Sequence, residues 1–110
     1  MQIETAISLS YDAFVRSPKN ASIRINYGHA LILAQRYGEA KTVLGSINPH
    51  FLSTTDQQGF YFAVLELKYR LGDLKGIEAT AERIIPELLL PGDQKVYKSI
   101  VDSLNKVGSQ

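Results

Sequence analysis

The sequence predicts an all-α chain: about six helices, folded back on one another as antiparallel hairpins and stacked into an α-solenoid. Three observations lead there. Apolar residues recur at three- and four-residue steps through most of the 110 residues, the spacing that lines one face of a helix. Prolines and glycines interrupt that periodicity at intervals of one helix length. The pattern also matches itself when shifted by 37 residues, which is how repeat architectures announce themselves. No stretch alternates as a half-buried strand does.

The elements follow in order. Ile3, Ala6, Ile7, Leu9, Ala13 and Phe14 form the inward stripe of a first helix. It ends near Ser17-Pro18, because the residue before a proline is pushed out of helical geometry. Asn20 is placed to cap a second helix over about Ala21 to Gln35, with Ile23, Tyr27, Ala30, Leu31 and Ala34 inward. Gly28 inside it costs about 1 kcal/mol relative to alanine, so a neighbour is expected against the bare backbone. A third helix covers about Gly38 to Ile47, with Ala40, Val43, Leu44 and Ile47 inward, and Asn48-Pro49 stops it.

Thr54 followed by Gln57 has the spacing of a reciprocal cap for helix four, which runs to about Leu71 on a stripe of Phe60, Ala63, Val64, Leu67 and Leu71. Gly72 suits the left-handed position after a helix. Helix five runs from Leu74 to about Ile85 and stops at Pro86. Helix six, with Asp93 expected as its cap, carries Val96, Tyr97, Ile100, Val101 and Leu104 to near Val107.

The 37-residue shift pairs Tyr37 with Leu74, Ile47 with Ile84, Pro49 with Pro86, Asp56 with Asp93, Gln57 with Gln94, Phe60 with Tyr97, Val64 with Val101 and Leu67 with Leu104. Identities are few; what recurs is the order of turn residue, helix-ending proline, cap and core stripe. On Pro18, Asn20, Tyr27, Gly28, Leu31, Tyr37 and Ala40 the chain resembles the tetratricopeptide repeat family. The match is good from Pro18 to Leu44. The next unit keeps Gly72-Asp73-Leu74 at its turn but has Leu65 in place of the glycine and Ile77 in place of the alanine, and Pro49 comes about three residues early.

The resemblance implies a single right-handed α-solenoid domain over residues 1–110: a half repeat (1–17), a full repeat (18–52), a degenerate one (53–90) and a C-terminal capping helix (91–110). Helical hairpins of this kind bury their apolar faces only by stacking. The first helix has no preceding partner, so its end is expected to continue into a longer protein or to be covered by a second copy.

Composition excludes several functions. Twelve Lys and Arg stand against eleven Asp and Glu, net +1, with no run of one sign, so no nucleic-acid footprint is visible. There is no cysteine, hence no disulfide framework and no thiolate nucleophile or ligand. The first residues, with Glu4 and Asp12 and no basic start, do not read as a signal peptide, and the apolar runs are too short to cross a bilayer. A cytoplasmic protein, or a piece of a larger one, is the expectation.

Enzyme readings are weak. His29 and His50 lie far apart and lack a ligand at one-turn spacing, so no metal and no cofactor are expected. The serines fit no nucleophile elbow. "GDLKG" and "LPGDQK" are turns without the preceding strand of a phosphate loop, and Glu78 and Glu82 share a solvated mixed-charge face with Lys75 and Arg83.

A binding function is expected instead. In stacked hairpins the first helix of each pair lines the concave side, which makes the candidate groove Ile25, His29 and Ile32, then Phe62, Glu66, Tyr69 and Arg70, then Ser99, Ser103 and Lys106. Apolar at one end and polar at the other, it is expected to hold a peptide or partner-protein segment through one or two apolar anchors. Joint substitution of Phe62 and Tyr69 by alanine is expected to abolish binding without loss of helix. The alternative is a homo-oligomer formed through the N-terminal helix. Some members of the family grip a chaperone's terminal carboxylate. Asn26 matches that clamp, but Gly59 and Ala63 stand where its basic pair belongs, so this activity is not expected.

Overall fold

The computed structural model describes the backbone of residues 2–17 and 19–108 and the side chains of residues 7–17 and 19–104. Among the described residues there are six α-helices and no strand: α1 (Gln2–Arg16), α2 (Ala21–Leu33), α3 (Tyr37–Gly45), α4 (Thr54–Leu71), α5 (Leu74–Ala81) and α6 (Pro91–Gly108). Short 3-10 turns sit at Pro49–Phe51 and Pro86–Leu88. The expected terminator of α1, Pro18, and the inward positions Ile3 and Ala6 lie outside the described side chains.

Local chemistry sets the ends. Asn20 caps α2, its side chain accepting from the Ile23 N–H at 3.1 Å. The cap of α4 is Ser53 rather than Thr54: its hydroxyl accepts from the Asp56 N–H at 3.2 Å, while Gln57 reaches back to donate to the Pro49 carbonyl. Asp73 caps α5 through the Gly76 N–H. Asp93 does not cap α6; it sits in the first turn behind Pro91, where the exposed N–H groups favour a negative charge.

Three helices end sooner than the periodicity predicts, α3 among them at Gly45 rather than near Ile47. α2 stops at Leu33 because Gln35 adopts a left-handed φ of 64°, which turns the Gln35 and Arg36 N–H groups back onto Ile32 and Leu31. Gly72, with φ 75°, does the same after α4, and the N–H groups of Gly72 and Asp73 return to Tyr69 and Lys68. α5 stops at Ala81 rather than near Ile85 because the following chain is tied to α4. The buried Gln58 amide donates to the Arg83 carbonyl at 3.1 Å and accepts from the Ile85 N–H at 2.6 Å.

The register recurs. Tyr37 and Leu74 open α3 and α5, Pro49 and Pro86 open the 3-10 turns, and Thr54 and Pro91 open α4 and α6, each pair 37 residues apart. Gln35 and Gly72, the two described residues with positive φ, are separated by the same interval.

α4 is central, packing against α2, α3, α5 and α6, while α2 packs against α1, α3 and α4. It therefore feeds two cores. Phe60, Ala63 and Leu67 join Tyr27, Leu31, Ala40, Leu44 and Ile47 in the first. Phe62 and Leu65 join Ile77, Ile84, Leu89 and Ile100 in the second, and Tyr61 packs against both. A helix apolar on two sides must be covered on two sides. The radius of gyration, 13.8 Å, is close to the value of about 13 Å for a compact chain of this size.

Three inward expectations fail. Leu9 is 66%, Leu71 52% and Val96 37% exposed. Leu9 points away from α2, whereas Phe14 stacks on Tyr27 with ring centroids 5.0 Å apart. α6 carries exposed Lys98 and Asp102 where α4 carries Tyr61 and Leu65, a side suited to water.

Candidate functional site

On α4, Asp56, Gly59, Glu66, Tyr69 and Arg70 fall at three- and four-residue steps or their multiples, so they share a face. Together with the matching faces of α2 and α6 they form a surface bearing two cavities. One, about 260 Å³, is lined by residues that include Ser22, Ile25, Asn26, Asp56, Leu88, Leu90 and Asp93. The other, about 370 Å³, is lined by Glu66, Tyr69, Arg70, Lys95, Val96, Ser99 and Ile100.

The predicted groove residues divide by burial. Ile25, Ile32 and Phe62 are interior: Ile32 is 0% and Phe62 3% exposed, and both sit in the cores described above. They shape the floor and offer a partner almost no surface. A Phe62→Ala substitution therefore opens a cavity in the core at a cost of about 3–5 kcal/mol, so it cannot serve as a test of binding alone. Tyr69 and Arg70 are exposed and His29 is half-buried. Ser99 lines the larger cavity and Ser103 is partly buried, while the side chain of Lys106 lies outside the described residues.

Glu66 is the unusual member, a carboxylate only 4% exposed. Its Oε2 lies 3.2 Å from His29 Nε2, close enough for an ion pair but without the alignment of a full hydrogen bond, and neither atom has another partner. The contact with Glu66 is the largest influence on His29 and raises its pKa above the ordinary histidine value. Burial opposes this, the charges of Glu66 and Asp93 add to it, and Arg70 subtracts. The His29 and Phe62 rings meet at 5.9 Å. Residues 29 and 66 hold the same place in the 37-residue register, so the pair links equivalent positions of adjacent helices.

Sequence reasoning missed Lys95 and Val96, which α6 adds to the larger cavity, and Leu88 and Leu90, which the turn after α5 adds to the smaller one. Asp56 and Asp93 line one cavity together; their 37-residue spacing was the available signal. His50 is an exposed turn residue, and beside it Phe51 is 86% exposed. Among the described residues no group of three or more His, Cys, Asp or Glu is placed to hold a metal ion, and no helix is long and apolar enough to cross a membrane.

Comparisons with protein-family models, with curated proteins and with solved structures return no match for the chain. What can be assigned on the geometry is a class: an all-helical chain with one multi-helix face that carries two shallow cavities.

Proposed function

We propose that the chain is a non-catalytic interaction module of tetratricopeptide type: a right-handed stack of the α2/α3 and α4/α5 hairpins, flanked by α1 and a capping α6, that binds a segment of a partner protein across the α2/α4/α6 face. The observation that carries the reading is the recurrence at 37 residues of the left-handed residues, the 3-10 turns and the starts of α3 and α5 and of α4 and α6, while α4 starts 33 residues after α2. A repeat of that kind sets equivalent helices side by side, so that their faces merge into one extended binding surface. Exposed Tyr69 provides an aromatic contact and Arg70 a charged one.

The test is capture of a partner from the source cell by the intact chain and by a Tyr69→Ala/Arg70→Ala variant. Both side chains are exposed, so the helical circular dichroism signal stays unchanged while capture is lost. Capture that survives in a well-folded variant places binding elsewhere.

A second reading, self-association through α1, rests on the exposed Leu9, Tyr11 and Val15. Sedimentation at tens of micromolar decides it: a monomer rules it out, and an oligomer dispersed by Leu9→Glu supports it.

A further inference from the structure

We propose that His29 and Glu66 form a proton-operated latch between α2 and α4: while the imidazole is protonated the seam between the two helices is closed, and loss of that proton opens it to water. The latch couples the two hairpins whether or not their shared face holds a partner segment.

The seam is otherwise apolar. Ile25, His29 and Ile32 follow at four- and three-residue steps on one face of α2, and Gly59, Phe62 and Glu66 at three- and four-residue steps on the facing side of α4. The helices are close: a Cβ on Gly59 would stand 3.9 Å from the Ile25 Cγ2. Ile25, Ile32 and Phe62 are buried, so the His29–Glu66 contact at 3.2 Å is a polar layer between apolar ones. Among the described residues it is the one side-chain ion pair that joins α2 to α4.

That layer depends on a proton. Glu66 is buried, its Oε2 has no aligned donor, and among the described residues no ion pair joins it to Arg70 or Lys95. A pair that holds one proton is neutral overall, whichever partner carries it. Taking the proton away leaves a bare carboxylate beside Ile25, Ile32 and Phe62, and a buried charge without a partner is strongly disfavoured. Parting the helices relieves it, because the cavity of about 370 Å³ next to Glu66 then supplies water to the carboxylate.

Few other charges act on the imidazole. Asp93 on α6 favours its charged form and Arg70 on α4 opposes it, while α1, α3 and α5 contribute none among the described residues. Lys95 of α6 and the Tyr69 phenol share the cavity wall with Glu66. The contact with Glu66 is the largest influence and raises the pKa of His29 above the ordinary 6.5. The closed form is therefore complete below that value and is lost as the pH rises through the raised one.

His50, the only other histidine, is exposed in the turn after α3 and serves as an internal reference. Both rings are followed by NMR in the isotope-labelled full chain as the pH is raised, and His29 is expected to keep its proton to higher pH than His50. Two cross-seam contacts are read in the same samples, one between the His29 and Phe62 rings and one between Ile25 and Gly59. Each is expected to lose more than about half of its nuclear Overhauser intensity as His29 deprotonates, while the Phe14–Tyr27 contact between α1 and α2 is unchanged. Glu66→Gln keeps the shape and removes the ionisable group. In that variant His29 is expected to titrate at or below His50, with both cross-seam contacts persisting throughout.

A His29 that titrates at or below His50 in the unaltered chain overturns the latch. Cross-seam contacts that stay constant while His29 titrates overturn it as well, and leave the pair as a fixed pin between the helices. Loss of the Phe14–Tyr27 contact in step with them marks general unfolding and contradicts a local opening. Contacts that still part over the same interval in Glu66→Gln assign the opening to another group.

Discussion

At the contact between α2 and α3, Leu31 is fully buried and Val43 packs against the same core. Thirty-seven residues on, the corresponding pair is Lys68 and Thr80, joined by a hydrogen bond of 3.0 Å from the Lys68 Nζ to the Thr80 hydroxyl. A second exchange lies one turn away. Gly28 lets Leu44 approach so closely that a Cβ on the glycine falls 2.7 Å from Leu44 Cδ2. In the later hairpin the positions are reversed in size: Leu65 is fully buried and Ala81 packs in its cluster. The two hairpins keep volume and register while changing chemistry, which is why so few identities survive between them. The Gln58 clamp belongs to the second alone, since Ala21 holds that position in the first, where Arg24 donates to the Ser46 hydroxyl instead.

The size exchange gives the largest expected effect. Gly28→Leu drives a side chain into Leu44 and is expected to cost about 3 kcal/mol, and Leu44→Ala alone a similar amount. The double variant copies the Leu65/Ala81 arrangement and is expected to recover about 2 kcal/mol of the summed loss in urea unfolding. Strict additivity breaks the comparison. Next, Gln58→Ala leaves the Arg83 carbonyl and the Ile85 N–H without partners and is expected to cost about 2–3 kcal/mol, whereas Arg24→Ala, at an exposed contact, is expected to cost less than about 1 kcal/mol. Equal losses by thermal unfolding contradict the view that the second hairpin depends on its clamp.

A smaller effect sits at the left-handed residues. Gly72→Ala forces a Cβ into positive φ and is expected to lose about 1 kcal/mol, while Gln35→Gly relieves the same strain and gains a few tenths of a kcal/mol against its entropy cost, roughly. A loss of stability in Gln35→Gly removes the equivalence of the two joints. The smallest effect is the pH dependence of the His29–Glu66 contact between the hairpins. Because the folded-state pKa of His29 is raised, its contribution to stability is complete below the unfolded value of about 6.5 and fades as pH rises through the folded value. His29→Gln is expected to flatten the stability profile in that window, and an unchanged profile assigns the slope to other groups.

The helices and their order were legible because α-helical periodicity, Asn20, Gly72 and the prolines act locally. The recurrence was legible because turns tolerate few residue types. Three things were not. The early end of α5 depends on the Gln58 amide, a contact across 25 residues of sequence with no local signal. The Ser53 cap won over Thr54 because Gln57 turned to the Pro49 carbonyl and left no reciprocal partner. The burial of Ile25, Ile32 and Phe62 escaped because residues on one face of a helix can be floor or rim, and only the neighbouring helices decide which. Charged rim residues such as Arg70 and Lys95 follow from the same division.

The central claim is that the α2/α4/α6 face is where a partner segment binds. Backbone amide shifts of the labelled chain, recorded as the captured segment is titrated in, test it most directly. The account predicts perturbations concentrated at Asn26, His29, Glu66, Tyr69, Lys95 and Ser99, with α3 and α5 quiet. Perturbations centred on α3, α5 or the exposed Phe51 turn would contradict it.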